Sequence, residues 1–522
     1  MNRDAMIAAI RDRSEPWDMV VIGGGATGLG TAVDAASRGY DVLLVEQSDF
    51  AKGTSSRSTK LVHGGVRYLQ QGNVSLVMGA LKERGLMRQN APHLVDDVPF
   101  IVPSYAWWES PFYGIGMKVY DLLAGRYGFG RSSHLSRDEV VEEIPSIQTD
   151  GLRGGTQYFD GQFDDARLAI NLATTAYEQG ATLVNYMRVE SLTKDDRGHI
   201  TGVIARDLES EATAQSEAHV IVNATGPFAD AIRSLDNADA APIIAPSQGV
   251  HIVLDRSFIP RESAIMVPHT DDDRVMFAIP WHDVAVVGTT DTPIDDVSLE
   301  PRPFAEEIEF ILETANRYLA RPATADDVRS VFAGIRPLVK MGDGEDTAAL
   351  SRDHTVLIDP DSGLLTVAGG KWTTYRHMAE DVVDQAILLG DLEPRDGVTK
   401  NLPIHGFHPN AERFDRLAFF GSDAPEIMQL MDSDVALAAP LHPRLPLTGA
   451  EVVWSCRHEM ARTVDDILAR RSRSLLFDAR AAIEAAAPTA ALMAREHDRD
   501  AEWVSAQVDA FTRMAAAYIY VA

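Results

Sequence analysis

The clearest pattern in the chain is a short apolar run, a glycine-rich turn and a second apolar run near its N-terminus. Residues 18–22 are mostly apolar, which is typical of a buried strand. Residues 29–38 carry small and apolar side chains at helical spacing, and residues 41–46 form the second apolar run. A strand, a helix and a strand in this order predict a βαβ unit, which is the building block of a parallel sheet.

Further along, the pattern changes twice. Short apolar runs separated by polar turns recur between residues 250 and 288, which indicates antiparallel strands. A second junction of strand, glycine turn and helix lies at 364–389. After about residue 396 the strand pattern ends, and residues 410–522 are predicted to be mostly helical. We therefore predict an α/β protein with an inserted antiparallel-sheet domain and a C-terminal all-helical domain.

The length of 522 residues is enough for two to four domains, at roughly 150 residues each. The pattern suggests their limits. We predict an N-terminal extension at 1–16, a discontinuous nucleotide-binding domain at 17–395 with inserted segments at about 98–165 and 245–345, and a helical domain at 396–522.

The first glycine turn has the spacing of a dinucleotide-binding fingerprint. Gly23 allows a tight turn, Gly25 lets the backbone approach a pyrophosphate at the helix N-terminus, and Gly28 lets helix and strand pack closely. Glu46 ends the second strand, where a carboxylate accepts hydrogen bonds from a ribose diol and repels a 2′-phosphate. The fingerprint therefore disfavours NADP, but it fits NAD and FAD equally well.

Two distant segments favour FAD over NAD. Residues 220–226 form a strand that ends in a turn of small residues, which suits close packing on a dinucleotide. Residues 367–373 form a strand, a glycine turn and a helix start, and that helix N-terminus would stabilise negative charge on a reduced flavin. We predict one flavin site assembled from these segments; two separate nucleotide sites are the alternative.

Composition excludes several classes of function. With 48 basic and 77 acidic residues the net charge is −29, which argues against a nucleic-acid binder and against electrostatic docking on an anionic membrane. The one cysteine, Cys456, excludes an internal disulfide and a Cys-rich metal site, and no histidine spacing suggests a metal. We expect no transmembrane helix, because no run of 18 apolar residues occurs, and the polar N-terminus favours a cytoplasmic location.

Several longer motifs are more specific than the fingerprint. They lie at residues 23–28, 34–39, 49–69, 91–94, 288–292, 334–338, 351–354, 369–376, 456–463 and 466–471. Through these motifs the chain resembles the FAD-dependent glycerol-3-phosphate dehydrogenase family over residues 17 to about 485. Two positions depart from the family pattern: Arg57 stands where relatives often carry a small residue, and Thr59 replaces a serine.

The resemblance implies a fold and a reaction. The fold is a Rossmann-like FAD-binding domain of the glutathione-reductase/D-amino-acid-oxidase type, with an antiparallel substrate-binding sheet and a C-terminal helical domain. The reaction is oxidation of sn-glycerol 3-phosphate to dihydroxyacetone phosphate by hydride transfer to flavin N5, with electrons passed to a quinone. The fingerprint and the resemblance together assign these cofactor-binding residues: Gly23, Gly25, Ala26, Thr27, Gly28, Glu46, Thr54, Ser55, Ser56, Ser58, Lys60, His63, Gly64, Gly65, Ala224, Gly226, Gly370, Lys371, Trp372 and Thr373.

The implied substrate carries a phosphate dianion, which requires converging cations, preferably the forked guanidinium of arginine. The resemblance assigns these substrate-binding residues: Arg67, Tyr68, His251, Arg336, Arg352 and Lys371. A structural ion pair is the alternative role for each arginine. His251 matches the active-site histidine of the family, and an imidazole suits removal of the C2 hydroxyl proton. We predict His251, Arg336 and Arg67 as catalytic; a buried core histidine is the alternative for His251.

Members of this family dock on the bilayer, and an aromatic segment at 102–127 is the candidate contact surface. Its candidate side chains are Trp107, Trp108, Phe112, Tyr113, Ile115, Met117, Val119 and Tyr120. Lys118 and Arg126 supply little positive charge, so burial in the core or in a homodimer interface is an equal alternative. The expected location is cytoplasmic, at the inner face of the cell membrane.

Three other functions remain open at this point. An oxidase of the same substrate would pass electrons to oxygen and produce H2O2. A flavin amine or amino-acid oxidase would need a carboxylate clamp in place of the phosphate site, which the set of Arg336, Arg352 and Lys371 disfavours. A catalytically silent FAD-binding or assembly protein is disfavoured by the presence of His251 together with these cations.

Overall fold

Two large β-sheets and surrounding helices form the described part of the chain. The computed structural model describes residues 1–65, 69, 73–268, 270–271, 274–340 and 354–521. The strands are β1 (Trp17–Ile22), β2 (Val42–Val45), β3 (Leu61–Val62), β4 (Val95–Ser104), β5 (Ser133–Ser136), β6 (Gly154–Phe163), β7 (Thr182–Val184), β8 (Met187–Lys194), β9 (Ile200–Asp207), β10 (Thr213–Asn223), β11 (Ile244–Asp255), β12 (Ala264–Val267), β13 (Met276–Trp281), β14 (Val284–Gly288), β15 (Thr292–Pro293), β16 (Val328–Val339), β17 (His354–Ile358), β18 (Leu365–Gly369), β19 (Pro440–His442) and β20 (Leu445–Thr448).

Helices cover both sheets and make up most of the C-terminal region. The α-helices are Arg3–Asp12, Ala26–Ser37, Val74–Asn90, Glu109–Ala124, Arg137–Glu143, Asp165–Glu178, Ala229–Asp236, Ala305–Asn316, Tyr375–Leu389, Ala424–Ser433, Val435–Ala438, Gly449–His458, Ser474–Phe477, Ala479–Glu496 and Ala501–Ala515. Asp466–Arg471 is a π-helix. The 3₁₀ segments are Thr54–Ser56, Gly125–Tyr127, Gly226–Phe228, Arg256–Phe258, Ala325–Asp327, Trp372–Thr374, Thr399–Asn401, Ala411–Asp423 and Ala516–Tyr518. Within the described residues, no helix is both long enough and apolar enough to cross a bilayer.

The first sheet contains the predicted βαβ unit. Its path runs β17, β18, β10, β1, β2, β7, and β1 pairs in parallel with both β2 and β10. Met19, Val20 and Val21 of β1 are completely buried, as expected for a strand covered on both faces. Because β18 also runs parallel to β10, the carboxyl ends of β1, β10 and β18 lie at one edge of the sheet. Each of these strands is followed by a glycine turn, so three turns meet at that edge.

The second sheet is almost entirely antiparallel and confirms the second predicted pattern. Its path is β15, β11, β14, β13, β12, β4, β6, β3, with β16 on β11 and β5 on β6. Only the β12–β4 contact on this path is parallel, where Ala264 lies opposite Phe100. This contact joins the strands of residues 61–163 to those of 244–339, so two distant parts of the chain form one sheet.

The C-terminal region is helical as predicted, with one addition. A two-stranded hairpin of β19 and β20 lies within it, so the expectation of an all-helical domain was incomplete. Its strands have three and four residues and contain proline, so they are too short to show an alternating pattern. The main packing surface of the helix Ala479–Glu496 is a stripe of completely buried alanines, which allows close helix–helix approach.

The N-terminal extension forms a helix that the polar sequence did not predict. Met6 and Ile10 lie one helical turn apart and are both buried. Arg3 is also buried, with its guanidinium 2.5 Å from Asp207 and within hydrogen-bond distance of the Asn185 carbonyl. The extension is therefore packed onto the first sheet rather than projecting from it.

Candidate active site

A cavity of about 640 Å³ lies where the three glycine turns of the first sheet face the second sheet. Most of the predicted site residues line it: Gly23, Gly25, Ala26, Thr27, Glu46, Thr54, Ser55, Ser58, His63, Gly65, Ala224, Gly226, His251, Arg336, Gly370, Lys371, Trp372 and Thr373. Three predicted residues, Arg67, Tyr68 and Arg352, lie outside the described residues. The cavity thus combines the predicted cofactor segments with part of the predicted substrate set.

The first glycine turn leaves room at a helix N-terminus. Gly23 has φ +111°, and a Cβ there would lie 2.7 Å from the Ala224 carbonyl oxygen, which only glycine avoids. Gly25 is the N-cap of the helix Ala26–Ser37 and provides no side-chain cap. The Ala26 amide donates to Ser55 Oγ at 2.9 Å. Backbone N–H groups at the start of this helix can therefore receive an anion from the cavity.

Glu46 is held in place by backbone amides beside this turn. Its Oε2 accepts a 2.6 Å hydrogen bond from Gly24 N, and its Oε1 accepts a 2.8 Å bond from Ser48 N. Burial raises the pKa of Glu46 to about 7, although both amides act in the opposite direction. At neutral pH the carboxyl group is therefore close to its midpoint of titration.

Four predicted cofactor residues, Gly28, Ser56, Lys60 and Gly64, do not line the cavity. Lys60 is completely buried, and its Nζ donates to both oxygens of Asp165, at 2.8 and 2.7 Å, and to the Ser56 carbonyl at 2.7 Å. Burial lowers the pKa of Lys60, while the Asp165 carboxylate opposes that effect. Lys60 thus ties the loop to the helix Asp165–Glu178.

Gly28 and Gly64 both lie at close packing contacts, as the sequence predicts for Gly28. A Cβ on Gly28 would lie 1.9 Å from the Gly23 carbonyl oxygen, so helix and strand need glycine to pack at this point. A Cβ on Gly64 would lie 2.6 Å from a Leu81 methyl carbon, and the Gly64 amide donates to the Tyr120 hydroxyl at 2.7 Å. The sequence motif identifies the segment correctly, but it does not tell which side of the segment each residue faces.

The third glycine turn brings a cation to the cavity. Gly370 has φ +81°, and a Cβ there would lie 2.3 Å from the sulfur of Met378. The next residue, Lys371, is the N-cap of the short helix Trp372–Thr374 and lines the cavity. The Trp372 indole donates to the Ser55 carbonyl at 2.8 Å, which ties this turn to the first one.

His251 lies on β11 and is 2% exposed. Its ring stacks on Phe332, with centroids 4.8 Å apart and planes 10° apart. The Nε2 atom lies 2.9 Å from Thr59 Oγ1. Burial, and to a smaller extent the positive charges of Arg336 and Lys60, hold the pKa of His251 well below its ordinary value. The imidazole is therefore neutral and able to accept a proton.

Arg336 lies on β16, opposite Ser247 of β11. Its Nη1 is 3.2 Å from Asp291 Oδ1, and its Nη2 donates to the Thr290 carbonyl at 3.0 Å. The other oxygen of Asp291 is 2.9 Å from Nη1 of Arg274, and both arginines line the cavity. The structure thus places two guanidinium groups on one carboxylate at the cavity wall.

Sequence reasoning missed many cavity-lining residues, among them Arg57, Thr59 and Arg274. Arg274 lies outside every motif, and its one local signal is its position just before an apolar strand. Arg57 and Thr59 were noted only as departures from the family pattern. Contacts between distant segments give these residues their positions, so no local pattern could have found them.

Comparison with known proteins agrees with this geometry. A sequence profile described as FAD dependent oxidoreductase matches residues 18–376, and one for the C-terminal domain of alpha-glycerophosphate oxidase matches residues 365–504. The glycerol-3-phosphate dehydrogenase of Bacillus halodurans, solved in complex with FAD, is 30% identical and superimposes with a TM-score of 0.81, covering 99% of this chain and 98% of that one. The chain belongs to the FAD-dependent glycerol-3-phosphate dehydrogenase family.

Eukaryotic members of the family match over most of the chain. A probable mitochondrial glycerol-3-phosphate dehydrogenase of Caenorhabditis elegans is 38% identical over 93% of this chain and 71% of its own length. The mitochondrial glycerol-3-phosphate dehydrogenase SDP6 of Arabidopsis thaliana is 41% identical over 95% of this chain and 85% of its own length. The predicted family and fold class are confirmed.

FAD is the cofactor of this family, and the cavity suits it. A dinucleotide needs a turn without side chains, a helix N-terminus for the pyrophosphate and an acceptor for the ribose. Gly25, the uncapped helix start and Glu46 provide these features in one place. The glycine oxidase of Geobacillus kaustophilus, at 19% identity and a TM-score of 0.53, shares the fold alone.

Proposed function

We propose that the protein oxidises sn-glycerol 3-phosphate to dihydroxyacetone phosphate, with FAD as the immediate electron acceptor and a quinone as the final one. The observation that carries the proposal is that Arg336, Lys371 and a neutral His251 line the same cavity as the dinucleotide turn. A phosphate-bearing alcohol needs this combination of cations and base next to an oxidising cofactor.

The cofactor is held by backbone more than by charged side chains. We expect the pyrophosphate at the start of the helix Ala26–Ser37, where Gly25 adds no side-chain cap, and the ribose at Glu46. Ser55 supports this arrangement from two sides, because its Oγ accepts from the Ala26 amide and its carbonyl accepts from the Trp372 indole. Bound FAD supplies the acceptor for the hydride that leaves C2 of the substrate.

Arg336 and Lys371 are proposed to bind the phosphate, with Arg274 as a third cation. The Asp291 carboxylate orients both guanidinium groups, at 3.2 Å from Arg336 and 2.9 Å from Arg274. The Arg336 side chain is 28% exposed and lines the cavity, where a ligand can reach it. Paired, charge-assisted hydrogen bonds from such a fork fix a phosphate in position as well as in charge.

His251 is proposed as the base for the C2 hydroxyl proton. A neutral ring is required for this task, and burial maintains it. A phosphate dianion bound nearby would counteract the positive charges of Arg336 and Lys60 and so raise the pKa of His251. Substrate binding would therefore make the base stronger at the moment when it is needed.

A quinone acceptor calls for contact with a membrane, and we propose the helix Glu109–Ala124 as the contact. The predicted surface divides into two faces. Tyr113, Met117 and Tyr120 are buried, whereas the exposed side chains are Trp107 (78%), Trp108 (46%), Phe112 (53%), Ile115 (69%) and Val119 (42%). Leu122, which was not predicted, is 80% exposed and extends the exposed face. An apolar stripe of this size suits insertion into the interfacial region of a bilayer, which does not depend on positive net charge.

Anaerobic reduction of the flavin tests the proposed reaction. We expect sn-glycerol 3-phosphate to bleach the visible absorbance of the FAD-loaded protein, and glycerol and D-alanine to leave it unchanged. A ubiquinone analogue should then restore the absorbance faster than oxygen does. An oxidised flavin at saturating substrate would contradict the proposal, and rapid reoxidation by oxygen with release of H2O2 would indicate the oxidase instead.

Co-sedimentation with phospholipid vesicles tests the membrane contact. Leu122→Glu places a charge at the most exposed position of the stripe and should leave the protein in the supernatant, while the wild type sediments. Leu388→Glu is the matched control, because Leu388 is 76% exposed on a different helix. Equal sedimentation of the two variants would rule out the Glu109–Ala124 contact.

A further inference from the structure

The hydroxyl of Thr59 contacts the ring of His251 at the cavity wall. Both residues line the cavity, but the ring of His251 is 2% exposed, whereas Thr59 is only partly buried. Their polar atoms meet at 2.9 Å, from Thr59 Oγ1 to His251 Nε2. This hydroxyl belongs to the loop between β2 and β3, which also carries the cavity-lining residues Thr54, Ser55 and Ser58.

The other surfaces of the ring are closed by apolar or backbone groups. Phe332 covers one face at 4.8 Å between centroids. Gly288 is so close to the ring edge that a Cβ there would lie 2.4 Å from His251 Cδ2. Nδ1 is enclosed and has no hydrogen-bond partner within the described residues. Among the described residues, Thr59 Oγ1 is therefore the polar side-chain atom within hydrogen-bond distance of the His251 ring.

We propose that Thr59 relays the substrate proton to His251. The C2 hydroxyl of the substrate gives its proton to Thr59 Oγ1, and the Thr59 hydroxyl gives its own proton to the lone pair of His251 Nε2. The imidazole becomes an imidazolium, the threonine is restored as a neutral hydroxyl, and the C2–O bond becomes a carbonyl as the C2 hydride leaves for FAD. The relay rests on the proposed function, because it needs a substrate alcohol and that oxidant.

The relay requires one of the two neutral tautomers. Thr59 must donate to Nε2, so the ring proton must be on Nδ1. In the opposite tautomer Nε2–H would donate to Thr59, and the lone pair would be on the enclosed Nδ1, out of reach of the cavity. The two tautomers can be distinguished by the ¹⁵N chemical shifts of the ring, which do not depend on turnover.

Threonine in place of serine at position 59 affects the orientation of the hydroxyl. Threonine adds a γ-methyl group, which restricts rotation about χ1 and holds the hydroxyl in fewer orientations than serine allows. The hydroxyl itself is shared by both residues. We therefore expect Thr59→Ser to keep the relay and Thr59→Val, which has nearly the same shape, to lose it.

The experiment compares the wild type, Thr59→Ser and Thr59→Val by steady-state kinetics and by ¹⁵N NMR. Thr59→Val should lower kcat by ~10²-fold or more, since proton transfer by a positioned group contributes ~10² to 10⁴-fold. Thr59→Ser should retain most of the activity, and binding of dihydroxyacetone phosphate should be equal in all three. With ¹⁵N-labelled histidine, the signals of His251 are identified as those that are absent from the His251→Asn variant. The chemical shift of Nε2 should be that of an unprotonated nitrogen in the wild type. It should change in Thr59→Val, because the hydrogen bond from the hydroxyl is lost.

Each result decides a different question. Equal kcat for Thr59→Val and the wild type, or an Nε2–H tautomer in the wild type, would overturn the relay. Equal loss in Thr59→Ser and Thr59→Val would also overturn it, because the hydroxyl would then not be the decisive group. If the wild type is not reduced by sn-glycerol 3-phosphate, the proposed function fails, and the tautomer measurement still reports on the Thr59–His251 contact.

Discussion

Two clusters of aspartate and arginine show how the same residue types serve different purposes in this protein. In the closed cluster, Asp49 accepts from Arg470 at 2.5 Å and from Arg471 at 2.5 and 2.9 Å, and all three residues are at most 2% exposed. In the open cluster, Asp291 is shared by Arg274 and Arg336, whose side chains are 22% and 28% exposed at the cavity wall. The difference in exposure, not in composition, separates a structural ion pair from a candidate binding site.

The closed cluster connects the C-terminal region to the cofactor segment. Asp49 follows β2, whereas Arg470 and Arg471 belong to the π-helix Asp466–Arg471. Lys52 extends the connection, with its Nζ 2.7 Å from Asp465 Oδ2. Burial alone would raise the pKa of Asp49, but Arg471 and Arg470 outweigh it and lower that pKa. The motif at 466–471, which the sequence identified without a role, therefore serves to dock the C-terminal helices.

The largest expected effect is on stability, in the closed cluster. Asp49→Asn removes the carboxylate that Arg470 and Arg471 share. Arg470 keeps Asp465 and Asp466, whereas Arg471 loses its hydrogen-bonded counter-charge. Breaking a buried pair in this way costs about 3–5 kcal/mol. Denaturant unfolding should show a marked fall in the transition midpoint. Asp12→Asn is the control, because Asp12 is 67% exposed at its side chain and pairs with Arg11 on the surface. An unchanged midpoint for Asp49→Asn would contradict the structural role of the cluster.

The next effect is on catalysis, in the open cluster. Arg336→Gln removes hydrogen bonds to a charged ligand, each worth about 1.5–3 kcal/mol, so we expect kcat/KM for sn-glycerol 3-phosphate to fall by ~10² to 10³-fold. The unfolding midpoint should change little. Arg206→Gln, at a surface ion pair with Glu190 of 2.8 Å, should leave both quantities unchanged. A loss of stability without a loss of kcat/KM would show that Arg336 belongs with the closed cluster.

The smallest expected effect is on the pH dependence of FAD affinity, and it concerns Glu46. This residue lies near the closed cluster but is not in contact with its arginines. In the cofactor-free protein its pKa is about 7, raised by burial. Because the carboxylate is the form that accepts from a ribose, FAD affinity should weaken about tenfold per pH unit below pH 7 and be constant above it. Isothermal titration from pH 5.5 to 8.5 measures this, and Glu46→Gln should abolish the dependence.

The same pKa gives an opposite trend for the cofactor-free protein. A carboxyl group with a raised pKa in the folded state contributes stability at low pH that is lost as the pH rises through about 7. FAD binding and stability of the empty protein should therefore respond to pH in opposite directions. A parallel response of both would show that Glu46 is not the group that titrates.

The sequence predicted those features that local patterns encode. The strand–glycine–helix junctions at Gly23 and Gly370 are local, and the structure has them as expected. The direction of a loop side chain is not encoded locally, which explains why Lys60 was assigned to the cofactor although it faces Asp165. Arg274 was missed because no motif marks its own segment; it contacts Asp291, which lies 17 residues further along the chain.

The departures from the family pattern became interpretable only in three dimensions. Arg57 donates to Glu300 at 2.7 Å, and Thr59 contacts His251. In the sequence, Arg57 and Thr59 are recognisable only as departures from the family pattern. The partner of each lies about 200 residues or more away along the chain, so neither contact could be derived from spacing.

The central claim is that the open cluster binds the phosphate of the substrate. Its most direct test is a crystal structure of the FAD-loaded protein with dihydroxyacetone phosphate. We predict the phosphate within hydrogen-bond distance of Arg336 and close to Lys371. A phosphate bound away from this wall, for example in the surface groove lined by Lys82, Arg88 and Arg126, would contradict the account.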